Sequence, residues 1–191
     1  MKTVAVLVGS LRKDSINRKF AQALAKLAAG RLEFNFVDID LPLYNEDLWQ
    51  SPPEGVLALK KAVEAADGVL MVTPEYNRFP SPALKNAIDW GTRPWGQNSW
   101  NGKPAAGIGG TPGALGALAA VISLQSMMSV VGMTVMAAPG VYLNFRDSTF
   151  GPDGSIADDS TAEFLSGWID AFAAFIAKNG ETAAEDVTAS A

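Results

Sequence analysis

The chain contains neither cysteine nor histidine. Without cysteine there is no disulfide, no thiol nucleophile and no thiolate metal site. Without histidine there is no Ser–His triad, no imidazole metal ligand and no side chain suited to proton transfer near neutral pH. An enzyme of this composition takes its hard chemistry from something it binds. A basic field is lacking as well: 15 Lys+Arg stand against 20 Asp+Glu, a formal charge of −5. That balance disfavours a phosphate backbone as partner, and no nucleic-acid role is expected. With 48% apolar residues over 191 positions, the chain has the arithmetic of one compact domain that buries roughly 70% of its unfolded surface.

Long hydrophobic runs are scarce. The opening Met1–Gly9 has an apolar stretch of only about seven residues, and Leu11-Arg12-Lys13-Asp14 stands where a signal peptide needs a small-residue cleavage site. A buried strand explains it better. From Pro104 to Phe145 there is no charge, but Gly, Ala and Ser dilute this stretch. Thr111-Pro112-Gly113, Gln125, Gly132 and Pro139-Gly140 interrupt it, and no basic cluster flanks it. It reads as strand, helix and strand inside a soluble protein, with no membrane partner and a cytoplasmic location expected.

What the chain does have is alternation. Thr3–Val8 is a continuous β-branched and apolar run, as in a parallel strand covered on both faces. The period then changes: Ile16, Phe20, Leu24 and Leu27 form a helical stripe with Ser15 as N-cap and Gly30 as stop. Leu32–Val37 is a second strand, and Val56, Leu59 and Val63 mark a second helix. Gly68–Val72 is a third strand, and Ser81-Pro82 opens a helix through Leu84–Trp90. A polar and aromatic loop, Thr92–Lys103, precedes a fourth strand near Ala105–Gly109. Gly113 to about Val131 reads as helix and Met133–Ala138 as the fifth strand. The last helix carries a capping box, Ser160-x-x-Glu163, and a stripe from Phe164 to Ile176, with Gly180 as its end. The expected organisation is a single domain over 1–180, with a flexible acidic tail over 181–191.

Five strands alternating with five helices imply an open α/β parallel sheet with helices on both faces, a three-layer sandwich. The flavodoxin-like order 2-1-3-4-5 suits this alternation, and its crevice opens between the loops after the first and third strands. In the first of these, Gly9–Asn17, free amides at a helix start, the Ser10 and Ser15 hydroxyls, the Asn17 amide and the Arg12 guanidinium can converge on one anion. Neither the triphosphate loop nor the dinucleotide fingerprint is present. A hydroxyl-rich, glycine-poor loop fits a terminal monophosphate; the alternative is an ordinary capped helix. Asp14 is expected to point outward.

After the third strand, Thr73-Pro74-Glu75-Tyr76-Asn77-Arg78 offers a stiffened turn, free amides, an aromatic wall and the Asn77 carboxamide to a flat heterocycle. Gly109-Gly110-Thr111-Pro112-Gly113-Ala114-Leu115-Gly116 follows the fourth strand, where glycine permits close approach of backbone to a ring. Tight helix packing explains Gly116 as well. Trp95 and Trp100 either cover the site or pack structurally. The helix after Gly113 is apolar over too wide an arc for one face.

GSLRKDSIN, TPEYNR with LKNAIDW, and GGTPGALG, in this order and spacing, resemble the NAD(P)H-dependent FMN reductase family, which includes quinone and chromate reductases and azoreductase relatives. The likeness runs from about Lys2 to Phe145. It implies FMN as cofactor and NAD(P)H as co-substrate, with Ser10, Arg12, Ser15 and Asn17 on the phosphate. It further implies Pro74, Glu75, Tyr76 and Asn77 on the isoalloxazine edge and Gly110, Thr111 and Gly113 beside the ring. It also implies a homodimer or homotetramer, and ping-pong reduction of quinones, free flavin, azo compounds or chromate. Phe79-Pro80-Ser81-Pro82 departs from the Ser-x-Pro-Gly-like stretch common in relatives, so the acceptor wall differs. Arg78 is a candidate for attracting an anionic substrate, and equally a solvated loop cation. No proton-transfer residue is expected, because hydride transfer needs stacking and distance above all. A one-electron FMN carrier and a regulatory flavin-binding module are the competing readings.

Overall fold

The computed structural model describes the backbone of residues 1–189 and the side chains of residues 1–180. The expected acidic tail over 181–191 lies outside the residues described with side chains. Strands β1 (Lys2–Val8), β2 (Leu32–Val37), β3 (Gly68–Thr73), β4 (Pro104–Thr111), β5 (Thr134–Val135) and β6 (Tyr142–Asn144) alternate with helices. These are α1 (Ile16–Leu27), α2 (Glu54–Ala65), α3 (Pro82–Gly91), α4 (Leu118–Val130) and α5 (Asp159–Ala189). The sheet is parallel throughout and ordered β2-β1-β3-β4-β5, the flavodoxin-like order that the alternation predicts.

The run of β-branched residues in β1 explains its central place. Val4, Val6 and Val8 face one layer, with Phe20 and Leu24 of α1 and Trp168, Ile169 and Phe172 of α5. Ala5 and Leu7 face the other, with Leu59, Val63, Leu84, Trp90 and Leu124. Successive side chains of a strand point to opposite faces, so a strand clad on both sides is apolar at every position.

The fifth strand departs from expectation. Instead of one strand over Met133–Ala138, β5 covers two residues and pairs only with Pro104–Ala105 of β4. Pro139 and Gly140 break the run. A sixth strand, β6, then pairs with Gly109–Thr111 of the same β4 edge. Two short segments thus cover one long edge, and β6 supports the rim where β4 ends.

Helix starts follow their caps. Ser15 Oγ accepts from the Arg18 N–H (3.1 Å) and Ser81 Oγ from the Leu84 N–H (3.2 Å), as read from sequence. The capping box at Ser160 does not form: Asp158 Oδ1 accepts from the Thr161 N–H (2.7 Å) and from the Ser160 hydroxyl (2.7 Å). A carboxylate two residues upstream outcompetes the serine hydroxyl. Helix α5 also passes Gly180 rather than ending there. Helix α4 begins at Leu118 and not at Gly113, because Gly116 and Ala117 adopt left-handed backbone (φ +57° and +71°) that no helix interior tolerates. Among the described residues, no helix is long and apolar enough to cross a membrane; the charge-free stretch is spent on β4, α4, β5 and β6.

Candidate functional site

The loops after β1, β3 and β4 meet at the carboxyl end of the sheet. They enclose a cleft of about 100 Å³ lined by Ser10, Arg12, Ser15, Asn17, Pro74–Tyr76 and Gly110–Pro112. Beside Arg12 and Tyr76 lies an open, largely apolar shelf of about 380 Å³, reaching Leu11 and Pro82. Nine of the eleven residues expected around a flavin line the cleft. Asn77 and Gly113 do not; both are exposed.

One end of the cleft is built by the start of α1. The first amides of a helix have no intrahelical partner, so the Ile16 and Asn17 N–H groups are available beside the cap Ser15. The cap uses an oxygen lone pair of Ser15 toward Arg18, which leaves the hydroxyl proton for an anion. Ser10, only 5% exposed, has a hydroxyl with no hydrogen-bond partner among the described residues. That hydroxyl opens to the cleft it lines, with its donor and acceptor capacity unspent on the protein. The Arg12 guanidinium makes no ion pair with any described residue. Asp14, as expected, is exposed and outside the lining. Taken together, one unpartnered hydroxyl, one free hydroxyl proton, helix-start amides and an unspent cation fit a monophosphate.

Asn17, expected on the phosphate, has its carboxamide engaged within the protein. Its Nδ2 donates to the Gly110 carbonyl (3.0 Å) and its Oδ1 accepts from the Gly110 N–H (3.2 Å). The carboxamide therefore ties the phosphate helix to the glycine loop, a link between residues 93 positions apart that no local pattern reveals.

The loop after β3 closes as a two-residue hairpin. Tyr76 and Phe79 exchange both backbone hydrogen bonds at 3.0 Å, and Asn77 and Arg78 between them are left-handed (φ +52° and +70°). This is the geometry of a primed turn, for which Asn-Gly is the favoured pair. Glu75, expected to face a ring edge, sends its side chain elsewhere. Oε1 accepts from Arg78 Nη1 (2.9 Å) and Oε2 from the Ala120 N–H (3.2 Å). Helix α4 starts on Ala117 with no side-chain cap of its own, and the Glu75 carboxylate supplies one, favoured by the helix dipole. Sequence reading missed this role; the lack of a Ser, Thr, Asp or Asn before α4 was its available signal. The Glu75 N–H has no partner among the described residues, and Glu75 lines the cleft.

The glycines divide by cause. A Cβ on Gly110 would lie 2.2 Å from the Phe145 ring, one on Gly109 2.5 Å from the Thr73 carbonyl, and one on Gly116 2.8 Å from the Tyr142 backbone. These serve the protein's own packing. A Cβ on Gly113 would meet nothing nearer than Thr111 at 3.7 Å. Of the two tryptophans in the Thr92–Lys103 loop, Trp100 is fully buried and donates to the Ile88 carbonyl (2.9 Å), whereas Trp95 is 87% exposed. The loop itself is pinned by Lys60, whose ammonium donates to Gly91 O, Gln97 O (2.6 Å) and Ser99 Oγ (2.8 Å). Among the described residues, no cluster of acidic side chains could hold a metal ion.

Comparison with known proteins agrees with this geometry. A 2-hydroxy-1,4-benzoquinone reductase of Burkholderia sp is 43% identical over 174 residues, covering 91% of this chain and 95% of its own. A quinone reductase of Pseudomonas putida is 44% identical over 179 residues, covering 93% and 96%. The solved structure of FerB, a flavoenzyme NAD(P)H:(acceptor) oxidoreductase from Paracoccus denitrificans, superposes with a TM-score of 0.91 at 53% identity, covering 94% of this chain and 99% of that one. The family model described as NADPH-dependent FMN reductase matches residues 1–147, a span that contains every loop of the cleft, and the chain belongs to that family.

Proposed function

We propose that this chain is an FMN-dependent NAD(P)H oxidoreductase that reduces quinones by two electrons. The observation that carries the reading is the cleft-lining Ser10 hydroxyl, which has no hydrogen-bond partner among the described residues, beside the unpaired Arg12 and the open amides of α1. Bound FMN would supply the redox chemistry, taking a hydride from NAD(P)H and passing two electrons to an acceptor. The protein's share is binding and orientation. Ser10, Ser15, Arg12 and the α1 amides hold the phosphate. Pro74, having no N–H of its own, turns the chain so that the Glu75 amide meets the ring edge, and Tyr76 walls it. Thr111 lies at the glycine-loop side, and Gly113 leaves its neighbourhood open for a ring to approach.

Asn77 acts by holding the left-handed turn and Arg78 by presenting a cation, 68% exposed, at the rim; an anionic dinucleotide or acceptor is its natural partner. Names of the relatives place quinones first among acceptors; free flavin, azo compounds and chromate are further candidates. Exposed Leu115, Ile122 and Val130 on and beside α4 favour association of two or four copies, and a cytoplasmic site of action suits a NAD(P)H consumer.

The test is anaerobic addition of NADPH to the purified protein while its visible spectrum is recorded. A yellow protein that bleaches and is re-oxidised by a benzoquinone is the expected result. A yellow protein inert to both NADPH and NADH would instead favour the one-electron carrier, and a protein that binds no FMN would overturn both.

A further inference from the structure

We infer that the Asn17 side chain positions the flavin ring and is not a ligand of the phosphate, an inference that rests on the FMN reading above. The backbone supplies the argument. Along β4, the Gly109 N–H donates to Val141 O (3.2 Å) and the Thr111 carbonyl accepts from the Phe145 N–H (3.0 Å), so these residues turn their polar groups toward β6. Gly110, between them, turns its own to the opposite side, toward β3. There β3 has ended at Thr73, and Pro74 follows. The register Val72↔Ile108, Thr73↔Gly109, continued one step, would set the Glu75 N–H on the Gly110 carbonyl. The Asn17 carboxamide takes that place instead. It presents one acceptor and one donor, the two groups a neighbouring strand would present, at 3.2 and 3.0 Å.

Two consequences follow for the site. The Glu75 N–H is released from the sheet and left for a ligand. The Gly110 peptide is held from both sides, by Asn17 in front and by the Phe145 ring, against which it has no room for a Cβ, behind. Asn17 is 4% exposed, so the pair is shielded from competing water and sets the height of the glycine loop beside the ring. The side chain belongs to the phosphate helix but acts on the ring loop.

Riboflavin, which has the ring but no phosphate, separates the two roles. For a phosphate ligand, removal weakens FMN and leaves riboflavin unchanged. For a ring-loop brace, removal weakens both by the same factor. The expected result for Asn17→Ala, on folded flavin-free protein, is a loss of about tenfold or more in affinity for FMN and for riboflavin alike. Ser15→Ala, the control, is expected to weaken FMN and spare riboflavin. A loss confined to FMN in Asn17→Ala would overturn the inference. Should Asn17→Ala not fold, Asn17→Ser takes its place in the same comparison. Amide exchange provides a second readout: the Glu75 N–H is expected to exchange as an open amide in the flavin-free wild-type protein and to become protected when FMN binds, and a Glu75 N–H protected without flavin would equally overturn the inference. Failure of the FMN reading itself looks different, since wild-type protein would then bind neither flavin.

Discussion

Alanine at Gly110 and alanine at Gly113 are the same chemical change three residues apart, and the structure assigns them opposite consequences. At Gly110 the new methyl would sit 2.2 Å from one carbon of the Phe145 ring and 2.3 Å from the next. That ring is 4% exposed and packs edge-on against Phe20 at 5.4 Å, so it cannot swing into solvent. Forcing it aside is overpacking of a filled core, which costs about 1–3 kcal/mol. For a domain of this size each kcal/mol moves Tm by about 2–4 °C, so Gly110→Ala is expected to melt about 2–12 °C lower. At Gly113 the methyl meets nothing nearer than 3.7 Å. Removing a glycine there narrows the unfolded ensemble and is worth about 0.4–1 kcal/mol of stability where the backbone accepts it.

The assay is thermal unfolding of the flavin-free proteins followed by circular dichroism. Gly113→Ala is expected to hold or slightly raise Tm, because its methyl meets no core atom. Gly110→Ala is expected to lower Tm. A Gly113→Ala protein that melts as low as Gly110→Ala, or a Gly110→Ala protein with wild-type Tm, would refute the division of the glycines by cause.

Lys60→Met removes three hydrogen bonds, one to the end of α3 and two to the Thr92–Lys103 loop, and leaves the Gln97 carbonyl without its donor, at a cost of about 2–4 kcal/mol by urea unfolding at neutral pH. Burial holds the Lys60 pKa below its ordinary 10.5, with Glu64 pulling it partly back. The unfolded chain therefore binds more protons between the lowered value and 10.5, and wild-type stability gains a rising contribution through that window; Lys60→Met should flatten that slope, with Lys103, shifted the same way by burial, accounting for what persists. Trp100→Ala empties a fully buried site against Gly91 and should cost about 3–5 kcal/mol while leaving FMN affinity of the folded fraction intact. Arg78→Gly relieves left-handed backbone worth about 1 kcal/mol and loses an ion pair of similar size. Tm should stay nearly level while KM for NADPH or an anionic quinone rises and kcat holds; an unchanged KM would leave Arg78 a turn residue alone.

Much of this architecture can be read from the chain because its determinants are local. The apolar runs of β1 and β3, the caps Ser15 and Ser81 and the stop near Gly30 each lie within a few residues of what they determine. So do the three loops, whose convergence follows from strand order alone. Where local rules compete, the reading fails: Ser160 yields to Asp158, which has the stronger acceptor, and Met133–Ala138 yields to Pro139-Gly140. Other features depend on partners distant in sequence. The carboxamide of Asn17 makes two hydrogen bonds to Gly110, and the carboxylate of Glu75 caps α4, partners that local sequence does not reveal. Gly110 looks like a ligand's glycine until Phe145 is found behind it. These cases share one form. In each, a residue beside a ligand site proves to hold another part of that site, because a cleft made of three loop ends has no hydrogen-bonded ladder of its own. Polar side chains must then replace the missing strand and the missing cap. The groups left over, a cleft-lining hydroxyl at Ser10, an amide at Glu75 and a cation at Arg12, remain free for a ligand because the scaffold's needs are met by the Asn17 side chain and the Glu75 carboxylate.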